Sequence, residues 1–168
     1  DEPEEAPAAV DETSENGPQL SPAYMKFQLE FDSVQANLHQ SFDIIRDNHI
    51  VPVSKIKEDA ASIHGAVAKN FEVLNHLLSY VPDIANPITA HSLMTAYYAD
   101  LIAQHMDWAP KDIEGVTLAA LLHDIGRGEQ FENPALCHAA VGGDKAFAFL
   151  MDCGWTQERA GLVKEAIA

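Results

Sequence analysis

The chain has 168 residues, 47% of them hydrophobic, and carries a formal net charge of −16 at pH 7. This length suffices for one globular domain with a sizeable core, and the acidic balance excludes a nucleic-acid-binding surface, which requires clustered lysine and arginine. No apolar run approaches the ~18 residues of a membrane span, and no signal-peptide pattern opens the sequence. We therefore expect neither a nucleic-acid partner nor a membrane span.

The first 20 residues are predicted to form a disordered acidic tail. Residues 1–18 hold seven acids, three prolines and no base. Such a composition cannot bury enough apolar surface to offset the entropy lost on folding.

Two amphipathic helices are predicted after the tail. Apolar residues recur at alternating three- and four-residue spacing from Ser21 to Ile45, an apolar seam that includes Phe27, Phe31, Val34 and Leu38. The segment HIVPVS interrupts the pattern, and Ser54 is expected to cap a second helix.

These helices are predicted to form a coiled-coil-like hairpin ahead of the remaining helices. Residues 21–53 are assigned to the first helix, and the second spans residues 54–81. The seam either packs on the core of the domain or joins a homodimer or a sensory partner through helices 22–47 and 54–81.

Four further helices complete an all-α fold. They are predicted at Thr89–Met106, at Pro110–Asp124, from Pro134 to Asp152 with Asn133 as cap, and from a Thr156 cap to Ala168. The segment GRGEQFEN is expected to be a loop, and no segment shows strand alternation. Because the chain ends inside a helical pattern, the domain of residues 54–168 is expected to continue beyond Ala168.

The two cysteines do not form a disulfide framework. Cys137 and Cys153 lie roughly 24 Å apart along one predicted helix, which is too far for a bridge. Reduced thiols favour a cytoplasmic location.

The stretch VTLAALLHDIGRG places His123 and Asp124 at the end of an apolar helix, where burial is costly unless a partner satisfies them. The short link DWAP makes the preceding helix an antiparallel neighbour, so His91 finishes at the same end of this helical hairpin. The loop after Asp124 delivers His138 near the same end. Three imidazoles and one carboxylate are therefore predicted to converge.

Neutral imidazoles and carboxylates are typical ligands of Fe, Mn, Zn and Ni, and Mg is a further candidate, as one or two ions. A bound cation activates water and a phosphoryl group. The alternative for His123 and Asp124 is a capped helix end, and for His138 a structural role stays equally open. His105 is expected at the far end of the hairpin, and no site role is assigned to the remaining histidines, His39, His49, His64 and His76.

At these residues the sequence resembles the HD superfamily of metal-dependent phosphohydrolases, through His91 and the motif LAALLHDIGR. The phrase AKNFEVLNHLLSY…HSLMTAYYADLIAQHMDW is similar to the lead-in of HD-GYP cyclic di-GMP phosphodiesterases. The resemblance implies an HD-type helical bundle with His91, His123, Asp124 and His138 as metal ligands. It also implies a phosphate contact for Arg127, where HD-GYP proteins usually carry lysine.

The sequence departs from the HD-GYP pattern in three respects. The link between Asp124 and His138 is shorter, no GYP motif is present, and the later ligands of the family would lie beyond Ala168. The generic HD pattern is retained.

The predicted function is that of a metal-dependent phosphohydrolase or phosphodiesterase acting on a nucleotide or cyclic dinucleotide. Asp124 and Arg127 are its expected catalytic residues. The alternative is a non-catalytic HD-like module for signalling or assembly that works through its helical stalk.

Overall fold

Residues 21–48, 50–69, 77 and 87–168 are described by a computed structural model, and the regular secondary structure in these ranges is α-helical. The predicted all-α fold class is therefore confirmed. In chain order the helices are α1 (Pro22–Asn48), α2 (Val53–Lys69), α3 (Pro87–His105), α4 (Pro110–Leu122), α5 (Arg127–Glu132), α6 (His138–Asp152) and α7 (Gln157–Ile167).

Parts of the predicted organisation lie outside the described residues. These are the tail of residues 1–20, His49, His76 and most of the second helix beyond Lys69. The division of the chain at residues 20 and 53 stays a prediction.

Several predicted helix boundaries differ from the structure, and one helix was not predicted. Ser54 does not cap α2, because this helix already begins at Val53. The segment predicted as a loop contains α5, whose first turn closes when the N–H of Gln130 donates to the carbonyl of Gly126 at 3.2 Å. Asn133 caps only a local turn, by accepting from the N–H of Ala135 at 3.2 Å.

The helix α6 begins at His138 rather than at Pro134 because the backbone of Cys137 is still extended, with φ −85° and ψ 115°. The next helix boundary matches the prediction. Gly154 has a φ of 78°, a conformation that favours glycine after a helix. The hydroxyl of Thr156 then accepts from the N–H of Arg159 and caps α7.

The apolar seam of α1 is buried inside the chain's own core. Phe31 stacks on Tyr97 of α3 with ring centroids 5.5 Å apart, and Phe27 meets the same ring edge-on at 5.8 Å. Helices α1, α2 and α3 pack pairwise against one another. Among the described residues the seam therefore packs on the core, and a homodimer or a sensory partner at this helix stays a prediction.

We expect Phe31→Glu to destabilise the domain strongly. We also expect any protein that remains folded to have the same mass as the wild type. Phe31 has no exposed surface, and a carboxylate there would lose hydration with no partner, in addition to the ~3–5 kcal/mol typical of a lost core aromatic ring. Urea denaturation and sedimentation equilibrium would measure both quantities. Leu29→Glu, at an α1 position that is 73% exposed, is the control, and a folded Phe31→Glu variant of lower mass would contradict intramolecular packing.

A buried polar cluster joins the helices α2, α3 and α4. The carboxylate of Asp100 on α3 is fully buried and accepts from the hydroxyl of Thr117 on α4 at 2.8 Å. Nδ1 of His64 on α2 lies 3.2 Å from the same carboxylate, and Gln104 donates to it as well. A buried carboxylate with several partners fixes the register of α3 against α4. That His64 has no role in the site stays a prediction.

Asp59 on α2 is expected to make stability depend on pH. Its carboxyl group is buried against α1, and burial raises its pKa from 3.8 to about 6, although a hydrogen bond from Asn37 opposes the shift. The pKa of Asp59 is higher in the folded state than in the unfolded chain. The stabilising effect of its protonated carboxyl group is therefore fully present below pH 4, is lost as the pH rises to about 6, and stays lost at higher pH.

Asp59→Asn is therefore expected to raise the free energy of unfolding by about 1–3 kcal/mol at pH 8 and to change it little at pH 4. Urea denaturation at the two pH values measures the difference. Glu165→Gln, a surface substitution on α7, is the matched control. Equal effects of Asp59→Asn at both pH values would overturn this assignment.

Candidate metal centre

His91, His123 and Asp124 meet at one end of the α3–α4 hairpin, as the helix lengths predict. His91 lies in the second turn of α3, and the turn after α4 carries the other two. Nε2 of His91 lies 3.9 Å from Oδ2 of Asp124, and Nε2 of His123 lies 3.5 Å from the same oxygen. One donor atom from each of the three residues lies within 4.8 Å of the others. His105 is the last residue of α3 and therefore lies at the end of the helix opposite His91.

The carboxylate of Asp124 is the buried centre of this group, since only 2% of its side chain is exposed. The helix α4 ends at Leu122, two residues earlier than predicted, so that a turn of residues 123–126 carries the carboxylate inward. Oδ1 lies 2.7 Å from Nε of Arg127, yet accepts no hydrogen bond of favourable angle. A carboxylate buried in this way requires a strong electrostatic partner.

The imidazole of His123 is oriented by the backbone of its own helix. Its Nδ1 lies 2.8 Å from the carbonyl oxygen of Ala120. Because a carbonyl only accepts, the N–H at Nδ1 donates this hydrogen bond, which leaves Nε2 on the side of Asp124. The same arrangement orients histidine ligands in many metal sites.

His138, the first residue of α6, reaches the other oxygen of the carboxylate. Its Nε2 lies 3.8 Å from Oδ1 of Asp124, and its Nδ1 is buried without a hydrogen bond. Two glycines allow this approach. A Cβ on Gly126 would lie 2.2 Å from the carbonyl oxygen of His138, and one on Gly142 would lie 2.8 Å from that of His123.

The residues at this centre fit a divalent cation. Imidazoles and carboxylates are typical ligands of divalent metal ions of borderline softness, such as Zn²⁺ and Fe²⁺. Ligands of one ion lie roughly 3–4 Å apart, and the two measured distances to Oδ2 fall in this range. A cation would also stabilise the buried carboxylate.

A cleft of about 200 Å³ opens beside Asp124 and Arg127. Its far wall belongs to α1 and includes His39, Asp43 and Arg46. None of the three is predicted from the sequence to be a site residue. Their four- and three-residue spacing places them on one face of α1 and was the available signal.

Two further sequence predictions concern the cysteines and membrane-spanning helices. Cys137 and Cys153 are free thiols, as predicted. None of the helices in the described ranges combines the length and the hydropathy required to cross a membrane.

Comparison with known families identifies one domain. Residues 88–166 match the model of the HD domain, and the four residues around the carboxylate lie inside this range, whereas α1 and α2 lie outside it. No curated protein and no solved structure matches the chain.

Proposed function

We propose that the chain hydrolyses a phosphoester of a nucleotide or cyclic dinucleotide, since residues 88–166 match the HD domain, whose family consists in general of metal-dependent phosphohydrolases. His91, His123 and Asp124 would hold the metal. The observation that carries the proposal is the approach of two imidazoles, one from α3 and one from the turn after α4, to one oxygen of a buried carboxylate.

Each oxygen of Asp124 faces a different environment, which favours one metal ion over two. Two imidazoles surround Oδ2, whereas His138 and the guanidinium of Arg127 approach Oδ1. The positive charge of Arg127, 2.7 Å from Oδ1, opposes a cation on that side. In this proposal His138 supports the centre or completes the shell of the same ion.

When bound, the metal supplies Lewis acidity toward a phosphoryl oxygen and toward water. The protein's own residues bind and orient the substrate. The guanidinium of Arg127 has five donors. Since its Nε lies against Asp124 and its side chain is 42% exposed along the cleft, the remaining donors are available to the phosphoryl oxygens, where bidentate contacts are strong.

The proposal is tested by turnover and metal content of one pair of variants. The full chain is loaded separately with Fe, Mn, Mg, Zn and Ni and assayed on bis-p-nitrophenyl phosphate, on nucleoside monophosphates and on a cyclic dinucleotide. We expect hydrolysis with at least one metal, and we expect His91→Ala to lose both metal and turnover. His105→Ala, at the other end of α3, should retain both.

Absence of turnover with every metal and substrate would reject the enzymatic proposal. In that case the signalling or assembly module becomes the better account. Equal metal content in the two variants would instead reject the role of His91.

A further inference from the structure

We propose that the cleft beside Asp124 is the subsite for the leaving group of the substrate, that α1 supplies one of its walls, and that it takes a single uncharged nucleoside. The inference rests on the proposed function and narrows its substrate class to nucleoside monophosphates.

The cleft adjoins the candidate centre at the carboxylate of Asp124. Asp124 and Arg127 form part of its lining, and Pro87 and Ile88 at the start of α3 form another part. The opposite wall comes from residues 39–46 of α1, which precede the matched HD domain. A substrate whose phosphoryl group lies at Asp124 therefore projects the rest of its structure toward α1.

The size and the walls of the cleft fit one nucleoside. Phe42, Ile45, Ile88 and Ile125 give it apolar surface, on which the face of a base can pack. Its volume of about 200 Å³ is below the ~300–1,000 Å³ of pockets that enclose drug-sized ligands. A cyclic dinucleotide has two nucleosides and two phosphates and exceeds this space.

The charges along the cleft disfavour a second phosphate. Its lining holds four carboxylates and two guanidinium groups. The guanidinium of Arg46 is already paired with Asp43 and Asp47, each at 2.9 Å. Asp43 is thus paired within the cleft, and Glu129 is paired with Lys145. Away from Asp124 and Arg127 the cleft offers Glu132 as an acceptor to ribose hydroxyls and exocyclic amino groups, and the charge of this carboxylate repels a phosphate.

The reaction leaves the nucleoside in this cleft as a product. Hydrolysis breaks the P–O ester bond, joins the hydroxyl of water to phosphorus, and transfers the remaining proton of that water to the nucleoside oxygen. A neutral nucleoside is thus a probe of the cleft that requires neither metal nor turnover.

The test measures binding of adenosine, guanosine, cytidine, uridine and cyclic di-GMP to the full chain by isothermal titration calorimetry without metal. We expect at least one nucleoside to bind, and to bind at least tenfold more tightly than cyclic di-GMP. Phe42→Ala should weaken this binding by about tenfold or more, the loss typical of one base–aromatic contact. Ile88→Ser, at a more exposed position, tests the same cleft without loss of a core side chain, and Leu29→Ala on α1 outside the cleft is the control.

The outcomes separate this inference from the proposed function. If no nucleoside binds, if both cleft variants bind as the wild type does, or if cyclic di-GMP binds more tightly, the inference is overturned even where the loaded protein hydrolyses a phosphoester. If a nucleoside binds in the cleft and no phosphoester is hydrolysed with any metal, the subsite stands and the proposed function fails.

Discussion

Asp124→Asn is expected to reduce metal-dependent phosphoester hydrolysis on the order of 100–1,000-fold, the loss typical of a key electrostatic contact in an active site, and to lower the metal content of the protein. Asparagine keeps the shape of the side chain and removes its charge, and a neutral amide is a poor ligand for a borderline divalent cation. The fold should remain, with a change of about 1 kcal/mol or less in the free energy of unfolding, because asparagine still offers a hydrogen-bond acceptor in the turn.

The control for this substitution is Asp112→Asn, in the first turn of α4 and in an ion pair with Arg159 at the surface. It removes the same charge from the protein without touching the centre. Circular dichroism, metal analysis and steady-state kinetics would be compared for the two variants. If the carboxylate of Asp124 only caps a turn, the two variants should be equal in metal content and activity.

Gly126→Ala is expected to destabilise the domain by about 1–3 kcal/mol and to separate His138 from Asp124. A Cβ at this position would lie 2.2 Å from the carbonyl oxygen of His138 and 2.7 Å from the amide nitrogen of Gly142. Both are backbone atoms, so no side-chain rotation relieves the overlap. The first turn of α6 would have to move away from the turn that follows α4.

Gly128→Ala is the matched control, since a Cβ there has no neighbour within 4 Å and alanine favours the helix α5. Urea denaturation gives the loss of stability. The affinity for Mn²⁺ reports on the centre, and the one-ion interpretation predicts a smaller loss for Gly126→Ala than for Asp124→Asn. A Gly126→Ala variant as stable as Gly128→Ala would contradict the close approach of the two backbones.

The α3–α4 hairpin shows what helix geometry allows a sequence to predict. The link DWAP fixed the two helices as antiparallel, and the rise per residue then placed His91 beside His123 and Asp124. Measured distances agree with this placement. The assignment of these residues as metal ligands, which distances alone do not test, stays a prediction.

The remaining errors have local and long-range causes. The segment GRGEQFEN, which contains α5, was predicted as a loop because its two glycines and its polar residues show no helical periodicity. Pro134 was interpreted as a helix start, whereas the helix begins only after Cys137, whose backbone is still extended. The wall of the cleft on α1 depends on contacts between residues about 80 positions apart in the chain. The spacing of His39, Asp43 and Arg46 places them on one face of α1, but it does not specify which residues that face meets.

Titration of Mn²⁺ into the metal-free full chain, followed by calorimetry, tests the metal centre most directly. The account predicts one ion per chain for the wild type and loss of at least tenfold in affinity for His123→Ala, with His64→Ala, at the buried Asp100 cluster, as a control that keeps the affinity. Absence of binding by a folded wild-type protein, or equal affinity of His123→Ala and the wild type, would contradict it.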